Sequence, residues 1–333
     1  MFITPENLNT INLEFTDYCN AACPMCARFN ESDGKLNTDR VNKNHTTLEL
    51  FKKRIPDKII KQLKKVHSVG TYGDPIMNPQ VLDIYRWVRE LNPDCRLEMH
   101  SNGGARNEDF WRECGELGIV VMFGIDGLED TNHLYRRNVN WDKLMNNVKA
   151  FIQGGGEAQW KWLVFRHNEH QIEQARKFAL DMGFTEFNWT HTTRFKKSNW
   201  VTGELQDLDK WPVDDYFLEK PVNTPDKDKN AGLKPPVYNG DKNQHKKVIC
   251  QMASNNVYEI YIRATGVVQP CCMLGELDLH EGKRLIDDHK SININYTDLV
   301  DILNGEFFKR LDEGINKGTK DRLMNCLHTC GVK

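Results

Sequence analysis

The feature that most restricts this chain is an alternation of short apolar strands with amphipathic helices between residue 11 and about residue 192. Ile11–Phe15 reads as the first strand, and a polar loop runs from it to His45. Helical spacing begins near Leu48–Phe51 and continues through Ile59, Ile60 and Leu63, before a second strand at Val66–Gly70. Val81, Ile84, Val88 and Leu91 fall on one helical face that Asn92-Pro93 ends. Further strands are expected at Arg96–His100, Val120–Ile125, Trp160–Phe165 and Phe184–Trp189. Helices between them are expected at Phe110–Leu117, around Leu144–Ile152 and at Ile172–Met182. Strand–helix units of this length make a parallel sheet with right-handed crossovers. The expected fold is α/β, a partial (β/α)6 TIM-like barrel with its chemistry at the C-terminal strand ends.

Residues 220–247 change character: they are polar, charged and carry four prolines, so they bury little apolar surface. The expected organisation is a barrel over 1–195, a linker or flap over 196–249 and a small C-terminal α+β domain over 250–333. That last part should hold a hairpin (Val257–Ile262, a turn at Gly266, Val267–Cys271) and a helix at about 297–318.

Lys plus Arg (45) nearly balances Asp plus Glu (47), so no basic excess argues for nucleic acid as a partner. Nowhere do 18 consecutive apolar residues occur, so no membrane partner is expected. The N-terminus lacks a charged start followed by an apolar stretch, which points to the cytoplasm. Thiols are kept reduced there, so ten cysteines suggest metal or redox chemistry rather than disulfides.

Cys19-Asn20-Ala21-Ala22-Cys23-Pro24-Met25-Cys26 follows the first strand directly. Three thiolates can hold three corners of a cubane cluster and leave one iron open to a cofactor or substrate. Structural zinc and ferredoxin-type clusters more often use four ligands. A non-catalytic zinc or electron-transfer protein is the competing reading.

This Cys-x3-Cys-x2-Cys string, opening the first strand–helix loop, resembles the radical S-adenosylmethionine (SAM) superfamily. The resemblance implies a 4Fe-4S cluster on Cys19, Cys23 and Cys26, with SAM on the fourth iron. It also implies reductive cleavage of SAM to a 5′-deoxyadenosyl radical that takes hydrogen from a substrate. Gly73-Asp74-Pro75 resembles the family's Gly-Gly-Glu-Pro motif, whose backbone receives the methionine amino group, with Tyr72 in place of the first glycine. Ser101-Asn102-Gly103 and Asp126-Gly127 fall at the ends of the third and fourth strands, as in relatives. Gly124 stands where relatives often carry serine. Arg136 matches an arginine that pairs with the cofactor carboxylate, a role adjacent Arg137 could also take. Phe165-Arg166-His167-Asn168 resembles the segment meeting adenine and ribose, and Met25 replaces the usual aromatic beside adenine. The implied cofactor contacts are Met25, Gly73, Asp74, Ser101, Asn102, Asp126, Arg136, Arg166 and Asn168.

Cys250, Gly266 and Cys271 resemble the opening of the family's SPASM and Twitch extensions. With Cys326 and Cys330 they would saturate a second 4Fe-4S cluster that relays electrons, with Cys272 an alternative to Cys271. A four-thiolate zinc is the other reading. The expected activity is that of an oxidoreductase acting on a peptide or small molecule, served by an external electron donor such as flavodoxin or ferredoxin. Glu14, Glu98, His100, Lys161, Trp189 and His191 interrupt otherwise apolar strands and are candidates to line the cavity.

Overall fold

Strands form where β-branched and aromatic residues run together, and helices where apolar residues recur every three or four positions. In the computed structural model the first half of the chain runs β1 (Thr10–Leu13), α1 (Leu48–Arg54), α2 (Asp57–Gln62), β2 (Lys65–Ser68), α3 (Val81–Leu91), β3 (Arg96–Ser101), α4 (Glu108–Glu116), β4 (Ile119–Gly124), α5 (Asn132–Tyr135) and α6 (Trp141–Gln153). There follow β5 (Glu157–Val164), α7 (Ile172–Met182), β6 (Glu186–His191), β7 (Lys196–Ser198), β8 (Leu205–Asp207), β9 (Lys210–Val213) and β10 (Tyr216–Glu219). The C-terminal part holds β11 (Lys247–Val248), β12 (Ala253–Ser254), β13 (Val257–Ile262), β14 (Val268–Gln269), α8 (Leu299–Leu303), α9 (Glu306–Lys317) and β15 (Gly331–Val332). The described residues are 3–30, 34–198, 205–214, 216–222, 247–274, 281–317, 323, 326 and 330–332. Of the expected 220–247 linker, residues 223–246 lie outside them.

All six predicted strands are present, with ends moved by a few residues. The helical stretch expected over Leu48–Leu63 is broken at Ile55-Pro56. Proline lacks an N–H and drives the preceding residue out of helical backbone, so Ile55 is extended at φ −116°, ψ 108°. The helix expected at 297–318 is likewise divided, at Asn304-Gly305, because glycine is a poor helix former.

The chain packs as two compact units that are not consecutive stretches. One comprises residues 1–18, 42–97 and 235–333. In it β1 pairs in parallel with β2 on one side and with β13 on the other. β13 also pairs antiparallel with β12 and β14, so the predicted hairpin is continued by β1 across one edge. α3 buries Val81, Leu82, Ile84, Tyr85, Trp87 and Val88, and Tyr85 meets Phe15 at 5.0 Å between ring centroids.

The other unit comprises residues 19–41 and 98–234. Here β4, β5 and β6 run parallel, with Phe123 opposite Trp160 and Trp160 opposite Phe187. α4 and α6 bring Trp111 and Phe151 onto Phe123, at 5.2 and 5.6 Å between centroids. Truncating the buried ring of Trp111, Phe123, Phe151 or Trp160 to alanine would cost about 3–5 kcal/mol. Among the described residues β6 pairs only with β5. Its side chains are exposed or half-exposed, so Trp189 and His191 belong to an edge strand and not to one buried on both faces.

Candidate functional site

Between β1 and α1 the chain carries three thiols on a loop without regular structure, so turns and side chains must fix them. Cys23-Pro24-Met25-Cys26 is a tight turn: the Cys26 N–H donates to the Cys23 carbonyl (3.3 Å) and Met25 has φ 63°. Proline followed by a left-handed residue marks a type II turn. A non-glycine residue there is strained by roughly 1–2 kcal/mol, and the turn sets Cys26 close enough to perturb the Cys23 thiol.

Cys19 is held from the end of β3. Asn102 Nδ2 donates to Cys19 Sγ (3.5 Å), as does the Ala21 N–H (3.4 Å). The Asn102 and Asn20 amides pair reciprocally at 3.0 and 3.2 Å. Arg28 Nη1 donates to the Ala21 carbonyl (3.0 Å), and the Ala22 N–H to that of Arg137 (3.1 Å). Arg136 Nη1 approaches Cys23 Sγ at 3.8 Å. Burial pushes the Cys23 thiol up to about 11, and Arg136 opposes that rise. N–H groups and a cation aimed at sulfur favour the thiolate, the form that ligates iron. The donor set on this loop therefore fits a three-thiolate cluster.

Asp126, fully buried at the end of β4, accepts from Arg136 Nε (2.6 Å) and from the Leu163 N–H (2.5 Å). Burial pushes its carboxyl up, and the Arg136 guanidinium opposes that shift. A Cβ on Gly124 would lie 2.3 Å from Arg136 Nη2. The glycine standing where relatives often carry serine is thus the space that Arg136 occupies. Asn168 Nδ2 donates to the Asp126 carbonyl (2.7 Å) and the Leu163 carbonyl (2.9 Å), and its Oδ1 accepts from the Phe165 N–H (2.8 Å). The Asn168 amide therefore ties the ends of β4 and β5 together. The buried Ser101 hydroxyl accepts from the Gly103 N–H (3.0 Å). Arg166 pairs with Glu169 (2.7 Å), Arg137 pairs with Asp214 (2.7 Å), and Met25 is buried.

Two neighbours of this loop carry no signal in the sequence. Arg194 donates to the Tyr135 hydroxyl (2.9 Å) and acts electrostatically on Cys23 and Cys26. Tyr135 is buried beside Phe165 (4.7 Å), which burial keeps neutral by raising its phenol. Arg194 lies in a single turn of 3₁₀ helix (Thr193–Phe195) after β6, where neither periodicity nor spacing marks it.

Gly73 and Asp74 lie in the unit that contains β1. A Cβ on Gly73 would sit 2.1 Å from the Thr16 carbonyl oxygen and 2.9 Å from that of Tyr18, so only glycine fits. Asp74 accepts from the Ile76 N–H (3.3 Å) and caps a turn of 3₁₀ helix at Pro75–Met77. Glu14, buried, clamps the same loop by accepting from the N–H groups of Thr71 (2.5 Å) and Tyr72 (3.2 Å). Burial raises its carboxyl to about 7 against the pull of those two donors. Glu98 is buried too, while His100 and Lys161 are half-buried.

In that unit Cys250, Cys271, Cys326 and Cys330 line one pocket whose walls include Val248, Met252, Leu274 and Ile315. Burial first, then Cys272, Cys326 and Cys250, push the Cys271 thiol well above its usual range. Cys272 instead feels Glu259 and Glu14, so a one-residue step separates the two thiols' surroundings. Among the described residues no three or more His, Cys, Asp or Glu form a ready single-ion site, and none of the helices is long and apolar enough to cross a membrane.

Residues 13–179, half of the chain, match the family model described as the Radical SAM superfamily. SuiB of Streptococcus suis bound to S-adenosylmethionine shares the fold with a TM-score of 0.55 at 11% identity, over 89% of this chain and 67% of SuiB. SuiB bound to precursor peptide SuiA gives 0.56 at 12%, over 89% and 64%. The structure of anSMEcpe with bound AdoMet gives 0.56 at 12%, over 97% and 86%. The chain thus spans about two thirds of the length of SuiB. No curated protein matches in sequence. These likenesses agree with the expected α/β fold and its largely parallel sheet. The match over half of its length places this chain in the radical SAM superfamily, as an enzyme whose family uses a 4Fe-4S cluster and S-adenosylmethionine.

Proposed function

We propose that the protein is a radical SAM oxidoreductase with one auxiliary 4Fe-4S cluster. The observation that carries this is the pocket lined by Cys250, Cys271, Cys326 and Cys330. A cluster ligated four times by protein has no open iron, which suits electron relay rather than substrate binding. The surroundings of Cys272, facing Glu259 and Glu14, favour Cys271 as the fourth-corner thiol.

When bound, the first cluster and SAM would supply a 5′-deoxyadenosyl radical that removes hydrogen from the substrate. Cys19, Cys23 and Cys26 would hold that cluster, with Asn102 and Arg136 donating to its thiolates. Met25, Gly73, Asp74, Ser101, Asp126, Arg136, Arg166 and Asn168 would surround SAM. Three of them act chiefly through others: Asn168 and Asp126 position strand ends and Arg136, and Gly73 admits a close backbone approach. The substrate is a peptide or a small molecule. Peptides are bound in the SuiB–SuiA structure and in anSMEcpe with Cp18Cys peptide, which share this fold. An external flavodoxin or ferredoxin would supply electrons, and ten free thiols suit a reducing cytoplasm.

Anaerobic reconstitution tests the reading. About eight irons per chain, two clusters of four, are expected, with 5′-deoxyadenosine released on reduction. Cys19→Ala, Cys23→Ala and Cys26→Ala together should abolish 5′-deoxyadenosine. Cys326→Ala with Cys330→Ala should leave it while iron falls to about four per chain, and Cys272→Ser should change neither. Zinc in place of the second set of irons would refute the relay.

A further inference from the structure

The cluster loop carries a buried cation that no described residue balances. Arg28 follows Cys26 by two residues, inside the turn that the Phe29 N–H closes on the Cys26 carbonyl (3.0 Å). It is 6% exposed. Its carbonyl accepts from the Asn37 N–H (2.8 Å) and its Nη1 donates to the Ala21 carbonyl (3.0 Å), so both ends of the residue are pinned. Nε is sealed from solvent and has no hydrogen-bond partner. Among the described residues Arg28 forms no ion pair, and its other neighbour is the Phe29 ring, 5.6 Å from Cζ.

Arginine stays charged at every accessible pH, and an interior keeps a charge only where a partner of opposite sign is at hand. Other arginines of this unit have theirs: Arg136 is bound to Asp126 at 2.6 Å, Arg137 to Asp214 at 2.7 Å and Arg166 to Glu169 at 2.7 Å. Arg194, which has no carboxylate, is exposed. For Arg28, an aromatic face and one carbonyl are weak partners beside a full buried charge. The same Ala21 that receives its Nη1 sends an N–H to Cys19 Sγ (3.4 Å), and Cys23 stands two residues further on. Those two hydrogen bonds, joined through the bonds of a single residue, put Nη1 within about 11 Å of the Cys19 sulfur.

We propose that Arg28 is the countercharge of the cluster on Cys19, Cys23 and Cys26, a positioning residue that sets how readily that cluster accepts an electron. Three thiolates outweigh the charge of an oxidised 4Fe-4S core, so the assembly is anionic and gains a further negative charge on reduction. A fixed cation then stabilises the reduced form more than the oxidised one and raises the potential. At an effective dielectric constant of about 20, a unit charge about 11 Å away changes the ratio of the two forms roughly tenfold, or about 59 mV for one electron. Arg28 acts by charge through the loop, unlike Asn102 and Arg136, which point donors at sulfur. The proposal rests on those three cysteines holding the cluster.

The test uses the full chain carrying Cys326→Ala and Cys330→Ala, reconstituted anaerobically, so that the first cluster is read without the second cysteine set. Iron content, SAM affinity by equilibrium binding and the midpoint potential by paramagnetic-resonance titration are measured on this parent and on its Arg28→Gln and Arg28→Lys forms. Arg28→Gln keeps a donor for the Ala21 carbonyl and removes the charge, whereas Arg28→Lys keeps the charge and loses the planar fork. Arg28→Gln should move the midpoint to the negative side by about 59 mV, a tenfold change, and Arg28→Lys should restore most of it. Loss of iron uptake in Arg28→Gln with about four irons per chain in Arg28→Lys upholds the countercharge equally. An unmoved midpoint at full iron content overturns the proposal, as does an Arg28→Lys shift equal to that of Arg28→Gln. Failure of both forms to take up iron, or loss of SAM affinity at an unchanged midpoint, overturns it too. A parent that binds no iron, or keeps it after Cys19→Ala, Cys23→Ala and Cys26→Ala, instead refutes the cysteine assignment, and the proposal with it.

Discussion

Returning Gly124 to the serine frequent among relatives should break a buried ion pair. A Cβ at this position meets Arg136 Nη2 at 2.3 Å and Cζ at 2.9 Å, so the guanidinium has to withdraw by about 1 Å to reach ordinary contact distance. Its Nε is bound to Asp126 at 2.6 Å, and Asp126 has no exposed side-chain surface. Breaking a buried pair while leaving one charge in place costs about 3–5 kcal/mol. The Arg136 side chain is 20% exposed and Asp126 keeps the Leu163 N–H, so the lower end, about 3 kcal/mol, applies here. At roughly 2–4 °C per kcal/mol for large domains, Gly124→Ser should melt about 6–12 °C below wild type in anaerobic calorimetry. The pair makes a sharper claim in a double-mutant cycle. If serine acts by displacing Arg136, Arg136→Ala should cost far less in the serine background than alone, a coupling of about 2 kcal/mol. A melting temperature within a degree of wild type, or strict additivity of the two changes, would show that the arginine does not depend on that space.

Glu14 gives a pH dependence with a definite sign. Burial raises its folded-state pKa from 4.5 to about 7, so the folded chain holds this proton more tightly than the unfolded one. Its contribution to stability is therefore full below pH 4.5 and falls as pH rises to about 7, by about 3 kcal/mol at most. Anaerobic denaturant titrations of Glu14→Gln should lack that part of the slope, and an unchanged difference between pH 5 and 7.5 would contradict it. Gly73→Ala places a methyl 2.1 Å from the Thr16 carbonyl oxygen. Since both partners are backbone, the loop must move, and loss of SAM affinity by equilibrium binding should exceed any loss of iron.

What the sequence disclosed and what it withheld divide along physical lines. Helical and strand periodicity is local, so α7 falls at Ile172–Met182 as its apolar spacing indicates. The three thiols of the cluster loop were legible for the same reason, since eight residues contain them. Their supports were not, because Asn102 is 83 residues from Cys19 and Arg136 is 113 from Cys23. Choosing between Cys271 and Cys272 needs the backbone phase where β14 ends and a 3₁₀ turn begins at Cys272, which spacing leaves open. Polar interruptions of apolar strands are unevenly legible. Glu14 and Glu98 stood out as charges in apolar strands and both are buried, whereas Asn12 and Gln269 passed as ordinary strand residues. Their importance arises only when β13, some 250 positions along the chain, pairs with β1 and sets Tyr261 between them. A neutral side chain in a strand costs little while it can reach water. The same side chain enclosed by strand pairing has to find a partner, so the cost of burying Asn12 and Gln269 is set by a long-range pairing that no local pattern discloses.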